Sequence, residues 1–142
     1  SLVGEEELAV MKKQIEIYQR QYDLVAGGNY YRLLSPYQGH IAAWQFASPD
    51  GSEALLDIVQ LKSVPADAPL CIRLRGLQAD AKYRVTSGEL NNVHTGNEEL
   101  DRRLNIPMDL VMSGAALMNA GLYIYPHPFG DFDAKQFEIR KI

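Results

Sequence analysis

The chain has 142 residues, 46% of them hydrophobic and 23% charged, and 14 basic against 18 acidic side chains give a formal net charge of −4. That length suits one domain of about 100–200 residues, and the composition excludes a disordered or fibrous chain. With an acidic balance and no run of Lys or Arg, the sequence has no basic surface with which to bind nucleic acid.

Cys71 is the single cysteine, which excludes an intrachain disulfide and makes a reducing, cytoplasmic setting the simpler expectation. The longest apolar stretch, Leu110 to Tyr125, is interrupted by Ser113, Gly114, Asn119 and Gly121. It falls short of the roughly 20 apolar residues that a membrane span requires, so no membrane partner is expected. Residue 1 is Ser, not Met, so the expectation is either a start inside a longer gene product or a residue left by cloning.

In chain order, the first element is a helix from Glu5 to Ala26. Leu8, Met11, Ile15, Tyr18, Tyr22 and Val25 recur at alternating spacings of three and four, which lines them up on one helix face. Glu5, Glu6 and Glu7 complement the positive end of the helix dipole, and Gly27 with Gly28 predict a left-handed exit. Burying such a stripe is worth about 1.5–3 kcal/mol per side chain, so these six residues form a packing or interface surface that demands a partner.

After Gly28 the texture changes to short runs punctuated by Pro, Gly and Asp, which predicts antiparallel strands. Strands are expected at Tyr30–Leu34, Ile41–Ala47, Ala54–Lys62, Leu70–Leu74, Lys82–Thr86 and Lys135–Ile142, with Ser48 to Ser52 turning a hairpin between the second and third. Asn97 to Leu104 can form a helical turn inside a polar excursion that spans Ser87 to Asp109. The fold class is therefore mainly β: an antiparallel, Greek-key-like sandwich over residues 29–142, preceded by one long amphipathic helix in residues 1–28.

Chemistry-bearing groups are sparse. Asp131 and Asp133 are the one tempting local carboxylate pair, but after Gly130 and before a strand they fit a turn held by side-chain to backbone hydrogen bonds. Glu98, Glu99 and Asp101 alternate with Arg102 and Arg103, the pattern of a solvated face. His40, His94 and His127 match no ligand spacing, so no metal is expected. Ser35 lacks a nucleophile elbow, and no glycine-rich phosphate cradle precedes a helix, so no cofactor is expected. Trp44, Tyr123 and Tyr125 are the aromatic residues available for stacking on a sugar. Trp44 shares strand parity with Ala42 and Phe46 and is expected to point into the sandwich, whereas Tyr123 and Tyr125 alternate with Ile124 as an exposed pair.

A colinear series of strings resembles the C-terminal region of bacterial α-galactosidases (melibiases) of glycoside hydrolase family 36. The series runs from Tyr31-Arg32-Leu33-Leu34-Ser35-Pro36 through Trp44, Ser52-Glu53-Ala54-Leu55, Leu74-x-Gly76-Leu77 and Tyr83-Arg84-Val85. It closes with Ser113-Gly114-x-x-Leu117-Met118-Asn119-Ala120-Gly121-Leu122 and Gly130-Asp131-Phe132. Two departures stand out. Ala115 and Ala116 occupy positions where the family often has an acidic pair, and Glu89 to Asp109 looks like an insertion.

The resemblance implies a parent enzyme whose (β/α)₈ barrel hydrolyses terminal α-D-galactosides of melibiose or raffinose type with retention. Both of its catalytic aspartates would lie upstream, so no catalytic residue falls within these 142 positions. The initial helix would be the last helix of that barrel, and the sandwich would pack on the barrel and help assemble a homo-oligomer. On its own, the chain would cover its helix stripe with a second copy. A weak carbohydrate-binding module is the alternative expectation.

Overall fold

The computed structural model describes residues 4–65, 69–88, 96–105, 107–124 and 131–142. In chain order the elements are α1 (Glu5–Gly27), β1 (Asn29–Leu34), β2 (Ile41–Ala47), β3 (Glu53–Gln60), β4 (Leu70–Ile72) and β5 (Lys82–Ser87). They continue as α2 (Glu98–Leu104), β6 (Asp109–Ser113), α3 (Gly114–Asn119), β7 (Leu122–Ile124) and β8 (Asp133–Lys141).

Six strands form one antiparallel sheet in the order β1-β2-β3-β8-β5-β6, and β4 pairs with β7 in a second, smaller sheet. The expected antiparallel architecture with one long leading helix is what is found, as two sheets of unequal size. Successive strand residues point to opposite faces, so the register sorts the large sheet into two sides. One side presents Ala43, Leu56, Ile58, Val85, Phe137 and Ile139, all at most 3% exposed. Against them pack Leu70, Ile72, Leu74, Leu77, Leu117, Leu122 and Ile124, from the small sheet, α3 and the segments that join them. This is the core.

Gln45 is fully buried on that inner side. Its Nε2 donates to the Arg75 carbonyl (2.7 Å) and its Oε1 accepts from the Arg75 N–H (2.9 Å), so the segment after β4 is tied across β2 by a two-bond clasp. Burial of an amide is tolerated here because both ends of the group are satisfied. The clasp also fixes the parity of β2: Ile41, Ala43, Gln45 and Ala47 face inward. Trp44 therefore points to the outer side of the sheet and is half-buried there, contrary to the expectation that it faces the core.

A second correction concerns the end of α1. Gly28 is extended (φ −79°, ψ 166°), not left-handed, and the chain passes straight from helix into β1. Glycine is required for space: a Cβ at Gly28 would lie 2.3 Å from the Leu24 carbonyl oxygen and 2.9 Å from that of Ala47.

The β2–β3 hairpin turns as predicted. Asp50 Oδ1 accepts from the Ser48 hydroxyl (2.7 Å), the Ser52 hydroxyl (2.7 Å) and the Ser52 N–H (3.0 Å). Gly51 takes the positive φ of 70° that the turn needs. The buried Tyr83 hydroxyl donates to the Gly51 carbonyl (2.5 Å) and accepts from the Gln78 N–H (2.8 Å), which fastens the hairpin tip to β5. Asp131 also behaves as a turn residue, since its Oδ1 accepts the Ser63 N–H at 2.7 Å and joins the exit of β3 to the entry of β8.

Two outcomes follow. Hydrogen bonds from Ser48 and Ser52 hold the Asp50 carboxyl at about 2, below its ordinary 3.8. A depressed folded pKa means that these bonds stabilise the fold above pH 3.8 and are lost as the pH falls toward about 2. Urea denaturation at a series of pH values is expected to find Asp50→Asn less stable than the parent at neutral pH, with the gap closing across that acidic window. Tyr83→Phe leaves the Gly51 carbonyl and the Gln78 N–H unpaired, and the same denaturation at neutral pH is expected to read a loss of about 1–3 kcal/mol.

Candidate interaction surface

Helix α1 has two working faces. Ile17 and Leu24 are 8% and 9% exposed, and with Gln21 they lie against the outer side of the large sheet. The predicted stripe lies elsewhere. At about 100° per residue, its centre is roughly 120° around the helix from the sheet-facing residues. Leu8, Met11, Ile15, Tyr18 and Tyr22 are between 47% and 59% exposed, and Val25 is half-buried. Tyr18 and Tyr22, one turn apart, meet edge to face with ring centroids 5.9 Å apart, so the stripe is partly organised before any partner arrives.

Every residue from Gly4 to Glu16 is exposed, so the first three turns of α1 project beyond the sandwich. What order they have comes from local terms: Glu7 accepts from the Gly4 N–H at 3.3 Å, and Glu5, Glu6 and Glu7 complement the dipole. Short helices are marginal in water without tertiary packing.

The contact between α1 and the sheet is a polar seam flanking an apolar one. Gln21 Nε2 donates to Gln136 Oε1 (2.9 Å) and to Glu138 Oε1 (3.0 Å), and Arg20 pairs with the same Glu138 oxygen at 3.0 Å. Arg140 reaches the other oxygen of Glu138 at 3.3 Å. Gln136 Nε2 donates onward to Asp57 Oδ1 (2.8 Å), and Trp44 donates to the same carboxyl. Burial pushes the Asp57 carboxyl above its ordinary value, and those two donors oppose the shift. Leu24 and Leu55 close the apolar side of this seam. None of Arg20, Gln21, Gln136 or Glu138 was singled out from sequence. The available signal was the spacing of Ile17, Gln21, Leu24 and Gly28, a second helical face with one polar member.

The structure distributes the remaining candidates widely. Trp44 is on the outer side beside Asp57, and Tyr123, on β7, is 68% exposed at the opposite layer, so the two do not share a surface. Tyr125, His94 and His127 lie outside the described residues. Asp109 pairs with Arg84 at 2.6 Å, and Arg102 with Glu99; both pairs are on the surface. Among the described residues, no group of three or more His, Cys, Asp or Glu is placed to hold a metal ion. Likewise, no described helix is long and apolar enough to cross a membrane. A shallow cleft of about 390 Å³ lies where Leu33, Leu34 and Ser35 face His40, Ile41 and Leu70.

These features define a mainly β, antiparallel domain with a long helix hydrogen-bonded to its outer side, and with an exposed apolar helix face as its most prominent surface. The sequence pattern of the glycosyl hydrolase family 36 C-terminal domain matches residues 41–139, and the chain belongs to this family. It is 31% identical over its full length to the bifunctional alpha-galactosidase/sucrose kinase AgaSK of Mediterraneibacter gnavus, of which it spans 13%. It is also 38% identical over 104 residues to the alpha-galactosidase AgaA of Geobacillus stearothermophilus; that match takes in 72% of this chain and 14% of AgaA. The crystal structure of AgaA superposes with a TM-score of 0.76 at 30% identity, over 99% of this chain and 16% of that one. The galactosidase domain of AgaSK gives 0.75 at 30% identity, over 99% of this chain and 17% of its own.

Amide hydrogen exchange on the isolated chain is expected to split α1. Residues 5–16 should exchange at close to unprotected rates, and residues 17–27, held by the seam, should be protected. Uniform protection along the helix would contradict the division described here.

Proposed function

We propose that this chain is the non-catalytic C-terminal part of a family 36 α-galactosidase, and that its role is structural: it packs on the catalytic barrel and helps assemble the enzyme. In this reading, residues 1–28 complete the barrel and residues 29–142 form the appended sandwich. The parent enzyme releases terminal α-D-galactosyl residues from melibiose- or raffinose-type substrates with retention, in the cytoplasm.

The observation that carries the reading is the α1 stripe. Five large apolar side chains, about half exposed, sit on a helix whose other working face is already bonded to the sheet. Surfaces of that kind are interaction sites. Relatives that are several times longer than this chain supply a natural occupant: polypeptide that precedes the helix. Retaining glycoside hydrolysis needs two carboxyl groups about 5–5.5 Å apart, one as nucleophile and one as acid/base. Asp131, the best local candidate, has committed an oxygen to the Ser63 N–H, which supports placing the catalytic pair elsewhere in the polypeptide.

Ile15→Glu separates this reading from its competitors. In the isolated chain, at concentrations low enough to keep it monomeric, the side chain is exposed, and chemical denaturation is expected to change by less than about 0.5 kcal/mol. In the longer polypeptide the same change buries an unpaired charge and should cost on the order of 3 kcal/mol, with loss of α-galactosidase activity from the soluble fraction. Equal, small effects in both would overturn the proposal. Tyr123, 68% exposed, is the platform that the alternative, weak sugar binding, would use among the described candidates Trp44 and Tyr123. Chemical-shift titration with melibiose is expected to leave the Tyr123 and Trp44 signals unmoved at millimolar sugar, and saturable shifts there would favour the binding module.

A further inference from the structure

Asp57 is the acid at the middle of the bond network beneath α1. It points to the outer side of the large sheet, in the cross-strand row Arg32, Trp44, Asp57 and Gln136. Gln136 Nε2 donates to its Oδ1 at 2.8 Å, and Trp44 donates to the same carboxyl. Gln136 presents its own Oε1 to Gln21 of α1, 2.9 Å away, so acid, amide and helix are linked in series. Direction is built into that series. An ionised carboxylate can only accept, which turns the Gln136 NH₂ toward Asp57 and its oxygen toward α1.

β2 carries no charged group. Arg32 stands beyond Trp44 on β1, and Glu53 lies four residues back on β3. On β8, Glu138 and Arg140 share the outer side and pair with each other, whereas Asp133 and Lys135 have inner-side parity. On α1, Arg20 is taken up by Glu138, and Lys13 and Glu16 border the flank farther toward the N-terminus. The hydrogen bonds that weigh on Asp57 come from two neutral groups, and burial outweighs them, lifting the carboxyl above its ordinary 3.8. α1 is the described element bonded to this side of the sheet, so lifting it admits water to the acid and returns its proton affinity toward the ordinary value.

We propose that Asp57 is a proton-operated control on the seating of α1: a proton on Asp57 tightens the second half of the helix against the sheet, and its loss loosens it. The sign follows from linkage. The seated state binds the proton more tightly than the lifted state, so proton uptake favours seating, and the preference declines as the pH rises from 3.8 through the raised value. The neutral acid keeps a carbonyl oxygen for Gln136 and a hydroxyl lone pair for Trp44, so both bonds survive protonation. Because the same seam sets the rotation of α1, the control reaches the Tyr18 and Tyr22 face of the helix without touching it. It acts within one chain and is independent of the function proposed above.

The test is amide hydrogen exchange of the full chain between about pH 4 and about pH 8, read as protection factors so that the intrinsic pH dependence of exchange is removed. Protection of residues 17–27 is expected to fall severalfold across that range, while β3 and β8 hold theirs. Asp57→Asn, neutral at every pH, should keep the helix protection constant. Trp44→Phe removes a donor to the charged form and should move the midpoint of the fall to higher pH. Glu138→Gln is the control for the neighbouring acid: it should lower protection throughout yet leave the fall with pH. If Asp57→Asn fails to fold by circular dichroism, the Trp44→Phe midpoint decides, and one that stays in place counts against the proposal. Flat protection in the parent, a fall that survives Asp57→Asn, or a fall abolished by Glu138→Gln overturns it.

Discussion

Leu55 sits on the outer side of a sheet whose core lies on the other side, and it is only 2% exposed because α1 covers it. Much of the structure depends on that arrangement. A six-stranded sheet with apolar residues on both faces needs two covering layers. The chain supplies one from the small sheet and α3, and the other from a helix that precedes the first strand. The second layer is narrow. One helix shields Leu55 but leaves Tyr30, Arg32 and the start of α1 in solvent.

The bonding of the helix to the sheet explains why its exposed face has a fixed direction. Gln21 bridges Gln136 and Glu138, and Arg20 adds a charge to the same acid. A purely apolar contact would allow rotation about the helix axis at small cost, since dispersion and burial are non-directional. Hydrogen bonds with defined partners set the rotation, and with it where Tyr18 and Tyr22 point. The direct passage from Gly28 into β1, without a loop, shortens the lever further. The second half of the helix is therefore tied to the sheet in a fixed rotation.

Most of the element pattern was legible in the sequence, and the failures have physical causes. Alternation located β2, β3, β5 and β8 to within a few residues, and the Ser-Pro-Asp-Gly-Ser string located their hairpin. Parity was misread in β2 because Ile-Ala-Ala-Trp-Gln-Phe-Ala is apolar at both phases. Large residues were assigned inward, but the Arg75 backbone satisfies Gln45, the one polar residue that seemed to mark the outside, and so turns Trp44 and Phe46 to the outer side. Strands β6 and β7 and helix α3 were hidden in a single apolar stretch, since elements of three to six residues carry too little periodicity to separate. The helix stripe was legible as a pattern, but its direction was not. Sequence periodicity says that a face is apolar, and it does not say which neighbour the face meets. The polar seam depends on side chains about 115 residues apart, a separation that no local pattern encodes.

The strand order carries a consequence for biosynthesis. β8 follows every other described strand in sequence, yet it lies between β3 and β5 in the middle of the large sheet. As the polypeptide leaves the ribosome, β1, β2 and β3 can zip together from neighbouring segments, and β5 with β6 can do the same. The two half-sheets then wait with open inner edges until Asp133 and the residues after it emerge and β8 is delivered between them. Contacts of such long sequence separation form slowly, and unpaired edges in the interval are prone to pair with the wrong partner. A nascent chain stalled before Asp133 would therefore hold most of its strands and none of its closed sheet.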